Sequence, residues 1–75
     1  MNLKLLKAHM VNVGIDSKAF AKLQSWSMST FYRKLSGKVF FTGAEIGICI
    51  EILKLKPMDI IDIFFADYLS HKTKS

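Results

Sequence analysis

Helix-start and helix-stop signals cut this chain into five short segments, and that punctuation constrains its fold more than any other feature. Leu3, Leu6, Met10 and Val13 recur at helical spacing, and Gly14 follows as a stop glycine, which predicts a first helix over about 2–13. Asp16 or Ser17 stands in N-cap position for KAFAKLQ, a short second helix with Phe20 and Leu23 on its apolar side. After the interruption SWS, Ser27 caps a third helix, MSTFYRKL, in which Phe31 and Leu35 share a face and Gly37 marks the exit. VFF at 39–41 suits a short extended segment. Thr42 and Glu45 make the stretch TGAE a capping box for a fourth helix that ends near Leu53. Lys56-Pro57 opens a fifth, over about 57–70, because proline is preorganised for a first turn and cannot prolong a helix. Its stripe reads Met58, Ile61, Phe65 and Leu69, broadened by Ile60 and Phe64. The expected architecture is all-α: one compact five-helix domain over residues 1–70, with a polar tail over 71–75.

A chain of 75 residues buries only about 60% of the surface its unfolded form exposes, so it needs a dense core or a partner. With 51% hydrophobic residues, six Phe and four Met, it carries the material for such a core and does not read as disordered. Cys49 is the lone cysteine, which excludes an internal disulfide and fits a reducing compartment; a small core residue is the expected role. The opening MNLKLLKAHM spreads lysines among its apolar positions and does not read as a signal peptide. The apolar runs are too short, or too broken by aspartate, to span a membrane. A soluble cytoplasmic domain with no membrane partner is expected.

Charge divides the chain in two. Residues 1–41 hold Lys4, Lys7, Lys18, Lys22, Arg33, Lys34 and Lys38 against Asp16 alone, a net +6. Residues 42–71 hold Lys54 and Lys56 against Glu45, Glu51, Asp59, Asp62 and Asp67, a net −3. A cationic first half calls for a polyanionic partner, nucleic acid or an acidic protein or membrane surface. Lys4 and Lys7, one turn apart on the first helix, read most simply as a solvated face, with phosphate contact as the minority reading.

Catalysis and cofactor chemistry find no support. His9 and His71 lie at opposite ends and Cys49 stands alone, so no zinc spacing exists. The acids are scattered rather than paired. Ser27, Ser29 and Thr30 have no histidine nearby in sequence and no glycine elbow around them. No enzyme activity, no metal and no cofactor is expected.

The second and third helices, a few residues apart, have the makings of a helix-turn-helix. Ala21 is small enough for the two to cross closely, Ser27 caps the second helix, and Phe31 and Leu35 anchor its inner face. Met28, Ser29, Tyr32 and Arg33 are left on the outer face, where side chains reach base edges or phosphates. The stretch SKAFAKLQSWSMSTFYRKLSGK resembles the helix-turn-helix of the lambda-repressor-like family, and FTGAEIGICIEILKLKPMDIIDIFF resembles the last two helices of small phage Cro-like regulators from Gram-positive hosts. The resemblance covers about residues 3–66. It implies a five-helix DNA-binding domain that dimerises and represses promoters in a phage or prophage genetic switch, inside the bacterial host cell.

Carried onto this chain, the family's base-reading positions fall on Met28, Ser29, Tyr32 and Arg33. Its backbone-clamping positions fall on Ser17, Lys18, Ser27, Thr30, Lys34 and Lys38. Arg33 suits a bidentate guanine contact, and Tyr32 and Met28 suit thymine methyls. The chain departs from the family in the turn, where Gln24-Ser25-Trp26 stands in place of a glycine-containing Leu-Gly-Ile or Leu-Gly-Val. Glycine is favoured there because the turn visits positive φ, so Ser25 carries the strain or the turn is reshaped. Trp26 enlarges the core or surfaces.

Ile48 and Ile52, a phenylalanine pair of which one suffices inside, and the FF and DYL of the fifth helix exceed what a small core requires. Phe40, Ile48, Ile52, Phe64 and Tyr68 are therefore candidates for a homodimer surface that would set two recognition helices about 34 Å apart, one turn of DNA. The leading expectation is a sequence-specific transcriptional regulator on double-stranded operator DNA. The alternative is a scaffold turned to protein binding, an antirepressor or an inhibitor of a host nucleic-acid machine, whose partner is another phage or host regulator.

Overall fold

Side-chain caps set where the helices begin. In a computed structural model that describes residues 1–67, the chain folds as α1 (Leu3–Val13), α2 (Ser17–Leu23), α3 (Met28–Leu35), α4 (Gly43–Leu53) and α5 (Pro57–Phe64). Asn2, Asp16, Ser27 and Thr42 each accept a hydrogen bond from the backbone amide three residues on. Before α5 the roles reverse, and Asp59 accepts from the Lys56 amide at 2.9 Å. The all-α expectation holds, with no strand among the described residues. Val39 to Phe41 do not extend into one, and Phe41 turns inward while Phe40 is 84% exposed.

Three helices end in the same way. Gly14, Ser25 and Lys54 take left-handed φ values of 76°, 61° and 53°. The amide that follows each reaches back five residues: Ile15 to the Met10 carbonyl, Trp26 to that of Ala21, Leu55 to that of Ile50. This is the 6→1 bond of a Schellman stop, which satisfies carbonyls the helix leaves without partners. The residue making that bond is apolar each time and turns toward the core.

α1 packs on α4 and α5, and α2 on α3. The core draws Leu6 and Met10 from α1, Phe20 and Ala21 from α2, Phe31 and Leu35 from α3, Cys49 and Leu53 from α4, and Ile63 and Phe64 from α5; Phe41 and Leu55 of the connectors complete it. Through it runs a chain of five rings, Phe31–Phe20–Trp26–Phe41–Phe64, edge to face at centroid separations of 5.4–6.1 Å. Each such pair contributes about 0.5–1.5 kcal/mol beyond the area it buries. Trp26 is the middle ring, so the turn residue that departs from the family pattern enlarges the core.

The structure corrects the phase of three helices. Val13 and Leu23, expected inside, are 43% and 55% exposed. On α5 the inward residues are Ile63 and Phe64, whereas Met58 and Phe65 are 62% and 50% exposed. The run IIDIFF is apolar on nearly every side, and contact with Phe41 and α1 selects its face. α5 breaks at Phe65, which leaves helical geometry at φ −118° and ψ 19°; residues 66–67 are helical again, and the rest of the expected span, 68–70, lies outside the described residues. Phe64 is therefore core and not dimer surface. Leu69, Tyr68 and the tail at 71–75 lie outside the described residues.

Candidate nucleic-acid interface

α3 is the helix whose two faces differ most. Phe31 and Leu35 are buried, while Ser29, Tyr32, Arg33 and Ser36 follow one another at helical spacing along its exposed side and its C-cap. Ser27 closes the N-terminus: its Oγ accepts from the Thr30 amide and donates to Thr30 Oγ1, both at 3.1 Å. No acid lies in the first turn of α3. Arg33 takes part in no ion pair among the described residues, so its guanidinium stays available. Met28 is half-buried against the core, which leaves only part of it to face outward.

Glu45 holds this helix and the turn before it to α4. One carboxylate oxygen accepts from the Thr42 amide and from Lys34 Nζ, each at 2.8 Å, and the other accepts from Trp26 Nε1 at 2.9 Å. The Glu45 carbonyl accepts from Gln24 Nε2 at 2.9 Å, and the same nitrogen lies 3.3 Å from Cys49 Sγ. The other amide atom of Gln24, Oε1, is buried without a partner. Burial raises the Glu45 carboxyl pKa, but the bonds from Lys34, the Thr42 amide and Trp26 outweigh it and hold the group below its ordinary 4.5. Burial also pushes the Cys49 thiol up to about 12, which keeps it protonated and inert and bears out its core role.

Lys34 corrects the set of backbone-clamping residues. It was expected beside phosphate, but its side chain is only 10% exposed and its ammonium donates to Glu45 and to the Phe40 carbonyl at 2.8 Å. The ammonium also lies 5.8 Å from the Trp26 ring centroid. Lys34 is a strut between α3, the following loop and α4, and its charge is compensated inside the fold. Sequence spacing alone marked it as exposed, because both of its partners lie beyond the end of its own helix.

The remaining candidates separate. Lys18 and Lys38 are exposed, while Ser17 and Thr30 are half-buried. Ser17 and Tyr32 line one groove of about 660 Å³ between α1, the start of α2 and α3. Its floor is apolar, with Met10, Phe31 and Leu35, and Lys7 lies on its wall. Lys7 and Ser36 thereby join the candidate surface, which periodicity did not show, because which residues of α1 and α3 border one groove is a tertiary outcome. Of the proposed dimer residues, Phe40 is the most exposed, and Ile48 and Ile52 are half-buried, Ile52 against the core.

Lys4, Lys7, Lys18, Lys22, Arg33 and Lys38 are all exposed, and none is ion-paired among the described residues. No group of three metal-ligating side chains and no helix long and apolar enough to cross a membrane occurs among the described residues. No family model, curated protein or solved structure matches the chain.

Proposed function

We propose that this chain is a sequence-specific DNA-binding regulator of the lambda-repressor-like helix-turn-helix kind, Cro-like, that inserts α3 into the major groove of an operator as a homodimer. The observation that carries this reading is α3 itself. It is held from behind by core rings and the Glu45 network, and its solvent side offers Ser29, Tyr32 and an unpaired Arg33 with no acid among them. Exposed lysines around it supply phosphate contacts, so affinity falls steeply with salt as counterions are released. Arg33 reads guanine, Ser29 and Tyr32 read neighbouring edges, and Lys18 and Lys38 fix register without reading sequence. A phage or prophage switch in a bacterial cytoplasm suits such a protein.

Selection of bound sequences from a random duplex pool, followed by titration of the selected site, tests this directly. Arg33→Ala then costs about 1–3 kcal/mol on that site and relaxes preference at one base pair, whereas Lys38→Ala weakens selected and random duplexes about equally. Equal losses on both duplexes for Arg33→Ala, or no enrichment from the pool, overturn the reading. A second reading, in which the scaffold acts by binding a protein such as an antirepressor target, draws on the apolar groove and on Phe40 at 84% exposure. It takes over if the pool yields no site.

A further inference from the structure

The five helices form two packing groups. α1 packs on α4 and α5, while α2 packs on α3. Apolar contact joins the groups through the Trp26–Phe41 ring pair and the shared core. Among the described residues, every hydrogen bond from α2, its turn or α3 to the other group ends on Glu45 or on Cys49, one turn further along α4. Glu45 collects donors from three successive places in the chain. Gln24, the C-cap of α2, donates to its carbonyl; Trp26 of the turn donates to one carboxylate oxygen; Lys34, in the last turn of α3, donates to the other. α3 is 8 residues long, about 12 Å at a rise of about 1.5 Å per residue. One side chain is thus bonded just before this helix starts and again near its end. The carboxylate is itself held in place, because the Thr42 amide donates to it at 2.8 Å in the capping box of α4.

We infer that Glu45 is the positioning residue of the helix-turn-helix: it sets the angle at which α2 and α3 stand on the base formed by α1, α4 and α5, and so decides whether Ser29, Tyr32 and Arg33 reach base edges together. The edges rest on the DNA-binding reading; the joint is a property of the free protein. Apolar contact between the two groups resists separation but has no direction, so it permits small rotations. Hydrogen bonds to a charged acceptor are short and directional, and a rotation of α3 that keeps the Trp26 bond lengthens the Lys34 bond. Neighbouring side chains on a helix stand about 100° apart, so a modest roll re-aims every outward residue of α3 at once. Direct readout needs close hydrogen-bond geometry at the base edge and does not survive such a roll. Lys18 and Lys38 are flexible point charges that fix no base identity, and their phosphate contacts do survive it. Glu45 therefore governs discrimination more than affinity, acting through α3 without touching DNA itself.

Two variants loosen the joint from opposite sides. Trp26→Phe keeps an aromatic ring between Phe20 and Phe41 and removes the Nε1 donor. Glu45→Gln keeps the shape and leaves one acceptor oxygen, so whichever way the amide turns, Trp26 or Lys34 loses its bond. The selected duplex and a random duplex are titrated side by side with each variant, after a urea transition has shown that it is folded. The selected-over-random affinity ratio falls about tenfold, the scale of one misread base pair, while affinity for the random duplex stays at the wild-type value. Trp26→Phe removes no charge and carries the test if Glu45→Gln does not fold. A ratio left at the wild-type value in Trp26→Phe overturns the inference. Residual dipolar couplings of the free protein give an arm without DNA. In the wild type one alignment fits the amides of all five helices; in the variants α2 and α3 require an alignment of their own. A single alignment that still serves all five helices also overturns the inference. If the wild type selects no duplex, the DNA-binding reading falls, and the couplings alone judge the joint.

Discussion

The connector from α2 to α3 and the connector from α4 to α5 are built on one backbone plan and carry different side chains. Each passes through a non-glycine residue in the left-handed region, Ser25 at φ 61° and Lys54 at φ 53°. Each then sends an inward apolar residue back to a carbonyl five positions earlier, through Trp26 and Leu55. From there they diverge. The first is flanked by Gln24 and Trp26, whose polar atoms converge on Glu45, and its outer surroundings are cationic. The second buries Leu55, its bond from the Lys56 amide to Asp59 stays within the start of α5, and it leads into an acidic helix. Apolar burial and short-range bonds suffice to join two helices. The polar network of the first connector does something further: directional bonds fix how α3 is presented, as the proposed role in DNA binding requires.

Breaking the polar connector has the largest expected effect. Glu45→Ala leaves the Lys34 ammonium buried without its counter-charge and costs about 3–5 kcal/mol in urea unfolding. The pH dependence follows from the same group. Its folded pKa is depressed, so its contribution is fully present above the unfolded value near 4.5 and is lost as pH falls through the lower folded value. Stability of the wild type should therefore decline on acidification below about pH 4.5, and Glu45→Gln should flatten that decline. An unchanged pH profile in Glu45→Gln would show that the network contributes nothing in solution.

Leu55→Ala, in the apolar connector, comes next, with a loss of about 3 kcal/mol from transfer and cavity terms. It should leave the acid limb of the stability profile untouched, and a change there would erase the distinction between the two connectors. The smallest effect is shared by both. Ser25→Gly and Lys54→Gly each relieve a left-handed residue and should raise stability by about 0.5–1 kcal/mol, read as an upward shift in the urea midpoint. A loss at Ser25 with a gain at Lys54 would mean that the serine side chain has a role in its turn.

The candidate site was legible where local physics decides. Ser27, Ser29, Tyr32 and Arg33 follow from a cap and a helical phase, and the structure leaves the last three on the exposed side. Lys34 was not legible, because a lysine one residue further round the helix looks equally suited to phosphate until Glu45 and the Phe40 carbonyl arrive from a distant segment. Lys7 read first as a solvated face for the same kind of reason. Its place on the groove depends on α1 and α3 bordering the same space, which no spacing within α1 encodes.

By itself the sequence determined the five helices and, apart from the end of α5, where they begin and stop. Asp16, Ser27, the Thr42–Glu45 box, Lys56-Pro57 and Gly14 act through bonds to residues a few positions away, so the information is local and survives without the fold. Tertiary structure alone decided which face of α5 turned inward, whether Trp26 surfaced, and whether Lys34 kept its charge for a partner. Those outcomes are set by competition among apolar groups and between buried charges for a small interior. Only contact between distant segments settles that competition, through the ring chain from Phe31 to Phe64 and the carboxylate of Glu45.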